Sequence, residues 1–191
     1  MPHVEQDIVQ ERLLKEGIFF LTGDIDEEST QEVMEWIHYE NLTSKKKKLT
    51  LFINSGGGNL YDAFALIDVM RASRIPIETV GIGSIMSAAF LIFVCGVKRY
   101  IAPNASIMCH EYSETVEGKH HDIMSSMKEA ELCNAKMLDI LVDQCKITDE
   151  EVAEKLLNPT DVYLTPDELL AIGGADAIYN ARTAYTKSAI N

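Results

Sequence analysis

Twice in succession the chain passes from strand-forming residues through a small-residue turn into an apolar helix, and this order constrains the fold more than any other feature. Leu49-Thr-Leu-Phe-Ile runs into Asn54-Ser-Gly-Gly-Gly and then into Leu60-Tyr-Asp-Ala-Phe-Ala-Leu-Ile-Asp-Val-Met, which is apolar at helical spacing. Ile77-Glu-Thr-Val-Gly-Ile-Gly turns at Ser84 and enters Ser87-Ala-Ala-Phe-Leu-Ile-Phe-Val-Cys. That second segment has no polar face, so it reads as a buried helix. Two such units in a row need crossover connections, which predicts an α/β fold around a mostly parallel sheet.

Shorter signals place the other elements. Gly17-Ile-Phe-Phe-Leu predicts a first strand that closes in a turn at Thr22-Gly-Asp, and 27–42 predicts a helix with Val33, Met34, Trp36 and Ile37 on one face. Further strands are expected over 99–102 and 106–111. The longest helix is expected over 122–146, where Ile123, Met127, Ala130, Met137, Ile140 and Leu141 recur near a helical period. Thr148-Asp-Glu-Glu is a capping box, and Thr165-Pro-Asp-Glu joins an N-cap, a first-turn proline and an N3 acid, so two short helices follow. Gly173-Gly stops the second. No repeat or linker divides the 191 residues, so one domain is expected over 1–191, with a short N-terminal segment over 1–10 and a flexible tail over 180–191.

Charge and composition narrow the function. With 17 basic and 30 acidic side chains the net charge is -13, which repels nucleic acid and anionic membranes and leaves proteins or small molecules as partners. The longest apolar run, 88–97, is half of the roughly 20 residues a spanning helix needs, and MPHVEQDIVQ lacks the regions of a secretory signal, so a soluble cytoplasmic protein is expected. Cys95, Cys109, Cys133 and Cys145 form no CxxC pair and read as buried thiols. His120-His121 has no nearby third ligand, so no metal is expected, and Lys45 to Lys48 reads as a solvated loop.

A hydroxyl nucleophile needs a serine where a strand turns into a helix, a base, an acid to orient that base, and amides for the oxyanion. Ser87 opens the buried helix and the Ala88 amide follows it; Ser84 competes for the same role. Gly56-Gly-Gly permits close backbone approach, His110 ends a strand, and Asp161 lies between two helices. Singly, each of these is also a common packing, turn or cap residue; together they have the parts of an acyl-transfer site.

Their order and surroundings resemble the ClpP family, the proteolytic subunit of the caseinolytic ATP-dependent protease, from about Glu11 to Ile178. Arg12-Leu-Leu-Lys-Glu-Gly-Ile-Phe-Phe-Leu-Thr-Gly looks like the family's opening strand, and Phe52-Ile-Asn-Ser-Gly-Gly-Gly resembles its Ile-Asn-Ser-Pro-Gly-Gly turn. Tyr100-Ile-Ala-Pro-Asn-Ala-Ser-Ile-Met-Cys-His is similar to the segment ending in the catalytic histidine, and Asp161-Val-Tyr-Leu-Thr-Pro-Asp-Glu to the aspartate segment. The resemblance implies the ClpP/crotonase fold of repeated strand-turn-helix units, with a handle region over 111–146 that includes the long helix. It implies Ser87 as nucleophile, His110 as general base, Asp161 as its orienting acid, and the Gly58 and Ala88 amides as oxyanion hole. Substrate would lie extended against Gly57, Gly58, Asn59, Leu60 and Glu111.

The implied function is a self-compartmentalising serine endopeptidase subunit without a cofactor, acting on unfolded proteins or peptides. Stacked seven-membered rings, of this chain or with a paralogue, would be fed by an AAA+ unfoldase. No GxxxxGK[ST] occurs, so ATP hydrolysis falls to that partner. A catalytically silent ring scaffold and a crotonase-type acyl-CoA enzyme are the alternatives. Several residues depart from the family pattern. Ile85-Met-Ser-Ala-Ala replaces its Ala-Ser-Met, Glu111-Tyr-Ser-Glu-Thr-Val-Glu-Gly keeps only Gly118 of its glycine-rich handle, and the segment before Glu11 is short for its axial hairpin. Thr50 and Ala72 stand where aromatic residues line the unfoldase pocket, which predicts weaker docking there.

Overall fold

The computed structural model describes residues 3–180. Its main sheet is parallel, as crossover connections require: β1 (Ile18–Ile25), β2 (Leu49–Gly58) and β3 (Ile77–Met86) lie side by side, joined through α2 (Glu27–Thr43) and α3 (Leu60–Ala72). After β3 the chain enters α4 (Ala88–Val94), then β4 (Lys98–Ile101) and β5 (Ser106–Cys109). The long helix α5 (His120–Gln144) leads to α6 (Asp149–Lys155), β6 (Val162–Leu164), α7 (Pro166–Ala171) and β7 (Ala177–Ile178). Sheet order is β1-β2-β3-β4-β7, with β5 branching off β3 and carrying the antiparallel β6.

Alternation along β2 explains its place at the centre. Leu49, Leu51 and Ile53 are fully buried against α3 and α4, while Thr50 and Phe52 face the other side. The helix without a polar face is buried along its whole length, every residue from Ala88 to Val94 being at most 2% exposed. Asp26 caps α2 through Ser29, and Thr148 and Thr165 cap α6 and α7 through Glu151 and Glu168, so the capping signals act where the sequence places them.

Several expectations change, the first being the turn at Thr22-Gly-Asp, which is strand: β1 bulges there and continues to Ile25. Arg12 to Lys15 belongs to a helix, α1 (His3–Lys15), which falls within the expected short N-terminal segment and the expected opening strand; the strand itself starts at Ile18. Gly17, at φ 76, ends that helix in a left-handed cap, a conformation that only glycine adopts at little cost. The turns expected at Asn54 and Ser84 are strand: β2 and β3 continue to Gly58 and Met86, because glycines at positive φ let the ladder bulge and resume. Helix α5 begins and ends two residues earlier than expected, since the Asp122 carboxylate accepts the Lys119 N–H at its start. Strands β6 and β7 are too short to show a period in sequence. The expected tail from 181 onward lies outside the described residues. Of the lysine run, Lys46 pairs with buried Glu40 at 2.8 Å and Lys48 with Glu78 at 2.5 Å.

One clamp ties the last strand to the long helix α5. The buried Arg99 guanidinium reaches both oxygens of Asp176, at 3.1 and 2.9 Å, and donates at 2.7 Å to the Gln144 carbonyl, an orphan acceptor at the end of α5. The Arg99 N–H donates to the same carboxylate at 2.8 Å. These hydrogen bonds from Arg99 hold the Asp176 carboxyl below its ordinary value. A depressed carboxyl contributes stability above its unfolded-state pKa of about 3.9, and loses it as pH falls through the folded value. Asp176→Asn should therefore cost about 1–3 kcal/mol at neutral pH. Urea unfolding at a series of acid pH values should show the variant losing less stability than wild type across that window.

Candidate active site

Among the described residues, Ser87 is the one non-glycine at positive φ, with φ 52 and ψ -123. It sits between the last residue of β3 and the first of α4, so the chain reverses direction there from strand to helix. A side chain in that conformation costs on the order of 1–3 kcal/mol, and such strain collects at functional sites. The strain projects one hydroxyl from a sharp turn. Ser84, its competitor in the sequence, is an ordinary strand residue that pairs with Ser106 on β5.

The glycine run backs onto this turn. A Cβ on Gly57 would lie 2.8 Å from the Ser87 Cβ, 2.9 Å from the Met86 carbonyl and 3.3 Å from the Ala88 nitrogen, so the close approach excludes any side chain. A Cβ on Gly58 would lie 2.2 Å from the Ile25 carbonyl. The Ala88 amide therefore lies close against the glycine run, beside Ser87. Ser55, buried on β2, accepts the Gly57 N–H at 3.1 Å and holds the run in place.

His110 and Asp161 reach the same end through the branch sheet. Met86 pairs with Met108 on β5, and the Ser87 N–H donates to the Met108 carbonyl at 2.9 Å. Across β5, Met108 faces Tyr163 and Cys109 faces Val162, so His110 and Asp161 both border the last rung of that antiparallel register. The side chains do not close into a relay in the single chain. His110 turns its Nδ1 to the Glu111 carbonyl, and neither the Ser87 hydroxyl nor the Asp161 carboxylate makes a hydrogen bond to another described residue. Cys109, beside His110, is no competitor as nucleophile, because burial pushes its thiol up to about 12.

The residues assigned to substrate divide. Glu111 lies past His110 and is anchored by its N–H to the Asn158 carbonyl at 3.1 Å, while Gly57 borders the turn. Asn59 caps α3 with its side chain and donates its N–H to the Ile25 carbonyl at 2.7 Å. Leu60 opens α3 and is buried.

Two substitutions at the turn should move stability in opposite directions. Ser87→Gly should raise it by about 1 kcal/mol, the strain relieved less the added freedom of the unfolded chain. Gly57→Ala should lower it by about 2 kcal/mol through overpacking against Ser87. Urea midpoints of the two variants and wild type check both signs.

With that geometry described, comparison with known families adds one finding. Residues 3–182 match the family model described as Clp protease, nearly the whole chain. Together with the α/β sheet and the long α5, this makes the chain a member of the Clp protease family.

Proposed function

We propose that the chain is the peptidase subunit of a serine endopeptidase in which Ser87 is the nucleophile, His110 the general base and Asp161 the residue that orients it. The observation that carries this reading is the positive φ of Ser87 at the end of β3, a strained strand-to-helix turn that carries a hydroxyl.

The Ser87 hydroxyl attacks the scissile carbonyl carbon as His110 Nε2 takes its proton, and the amides of Gly58 and Ala88 stabilise the oxyanion. Imidazolium then protonates the leaving amine, and the C–N bond breaks to leave an acyl-enzyme. A water molecule, deprotonated by the same imidazole, releases the acid and restores Ser87. Acid–base work of this kind needs His110 to exchange the Glu111 carbonyl for the Asp161 carboxylate, which borders the same last rung of β5 and β6. Substrate is unfolded protein or peptide, delivered by an AAA+ unfoldase to a ring of these subunits.

A docking surface for that partner is supported by aromatics at other positions than those the family pattern names. On the face that carries Thr50, Phe52 stacks on Phe20 at 4.7 Å and meets the Tyr179 ring edge-on at 5.8 Å. This apolar area offsets the loss expected at Thr50 and Ala72.

The silent-scaffold reading keeps one observation in its favour, the open relay around His110. A fluorophosphonate probe separates the two readings. Assembled wild type should label at Ser87 and hydrolyse a fluorogenic peptide, while Ser87→Ala should not label and should lose roughly 10⁴-fold or more in hydrolysis. An assembled wild-type ring that stays unlabelled sinks the peptidase reading.

A further inference from the structure

Between Ile53 and Ser55 the register of β2 with β3 slips. Ile53 faces Gly81, whereas Ser55 faces Ile85, so β3 carries two extra residues opposite Asn54. At the same place β3 changes its other neighbour. Glu78 to Gly81 pair with β4, and Ser84 to Met86 pair with β5. The strand therefore forks there: it still pairs with β2 at Ser55, but its last residues, Ser84 to Met86, also join the branch formed by β5 and β6.

A slip in a ladder takes backbone groups out of their regular pairing. Here the Asn54 side chain supplies a substitute, its Oδ1 accepting the Ser84 N–H at 2.9 Å. Gly83, at φ 61, packs against the same carboxamide so closely that a Cβ there would lie 2.4 Å from that oxygen. The contact is thus built from both sides, an acceptor on β2 and a residue without a side chain on β3. Two residues separate Ser84 from Ser87, and both, Ile85 and Met86, are locked to Ile107 and Met108 on the strand that ends beside His110.

We propose that Asn54 is a positioning residue for hydrolysis, its carboxamide oxygen fixing the fork of β3 and thereby the reach of Ser87 towards His110. This rests on the reading of Ser87 and His110 given above. Asn54 touches neither substrate nor the reacting atoms; it acts through the backbone of Ser84. The acceptor oxygen is what matters, so a carboxylate of the same length serves and a methyl group does not. Asn54 is exposed in the single chain, so its replacement leaves the core intact.

The test compares fluorophosphonate labelling of Ser87 and peptide turnover in assembled wild type, Asn54→Ala and Asn54→Asp, with thermal midpoints and ring mass measured for each. Labelling rate and kcat should fall about 10- to 100-fold in Asn54→Ala with KM little changed, as for a nucleophile displaced by a fraction of an ångström to an ångström. Asn54→Asp should stay within about threefold of wild type. Asn54→Ala labelling at the wild-type rate overturns the proposal. Equal loss in both variants also overturns it, since the acceptor would then not be the cause; a variant that does not assemble counts as loss. Wild type that assembles and does not label overturns the peptidase reading itself, and with it this one.

Discussion

Burial of α4 is the interaction on which the site depends. Phe90, Leu91, Ile92, Phe93 and Val94 are all removed from water, together worth on the order of 10 kcal/mol, whereas the left-handed backbone of Ser87 costs about 1–3 kcal/mol. The first quantity exceeds the second, so the helix stays seated and the residue before it absorbs the change of direction. Nothing softer is available there. Met86 is held to Met108 and Ala88 is buried, so strain concentrates on the single residue between them. A helix with a polar face could rotate or shift to relax that turn; one that is apolar all round has no orientation in which to do so.

The second constraint is that β3 serves two sheets. Its first half completes the parallel core with β4, and its second half turns to β5, which brings in β6 by an antiparallel pairing. A residue near the end of each of three strands is thereby carried to one edge, though in sequence they are far apart. Backbone registers bring Ser87, His110 and Asp161 to a common end, and the hydrogen bonds of the side chains are a separate matter. The imidazole is engaged by the adjacent Glu111 carbonyl. Distance along the fold and alignment of the proton path are thus set by different forces, the first by ladders and core packing, the second by rotation of a half-buried ring.

Much of this was legible in the residues. The apolar segment after Ser87, the glycine run after Ile53 and the two capping sequences at Thr148 and Thr165 are local signals, and each produced the local structure that its chemistry requires. Where the reading failed, a nonlocal contact prevailed. Glycines at 56–58 look like a turn, yet pairing with Ile25 keeps Gly58 in the strand. Asn54 carries no signal as an isolated asparagine, because its partner at Ser84 lies 30 residues away across a bulge that no local pattern reveals. The first helix is masked in sequence because the motif beginning at Arg12 resembles a strand segment, although Glu11 and Lys15 stand one helical turn apart and pair at 2.5 Å.

The order of residues by itself determined the alternation of strand and helix, the helix that must be buried, the caps, and the long amphipathic helix. Tertiary structure alone decided that Ser87 takes a left-handed conformation, that β3 forks, and that the strand ending before His110 pairs with the strand beginning after Asp161. The reason is one of range. Helix periods, caps and turns are written within a few residues, whereas backbone strain, a register slip and a shared sheet edge exist only after segments tens of residues apart have been packed together.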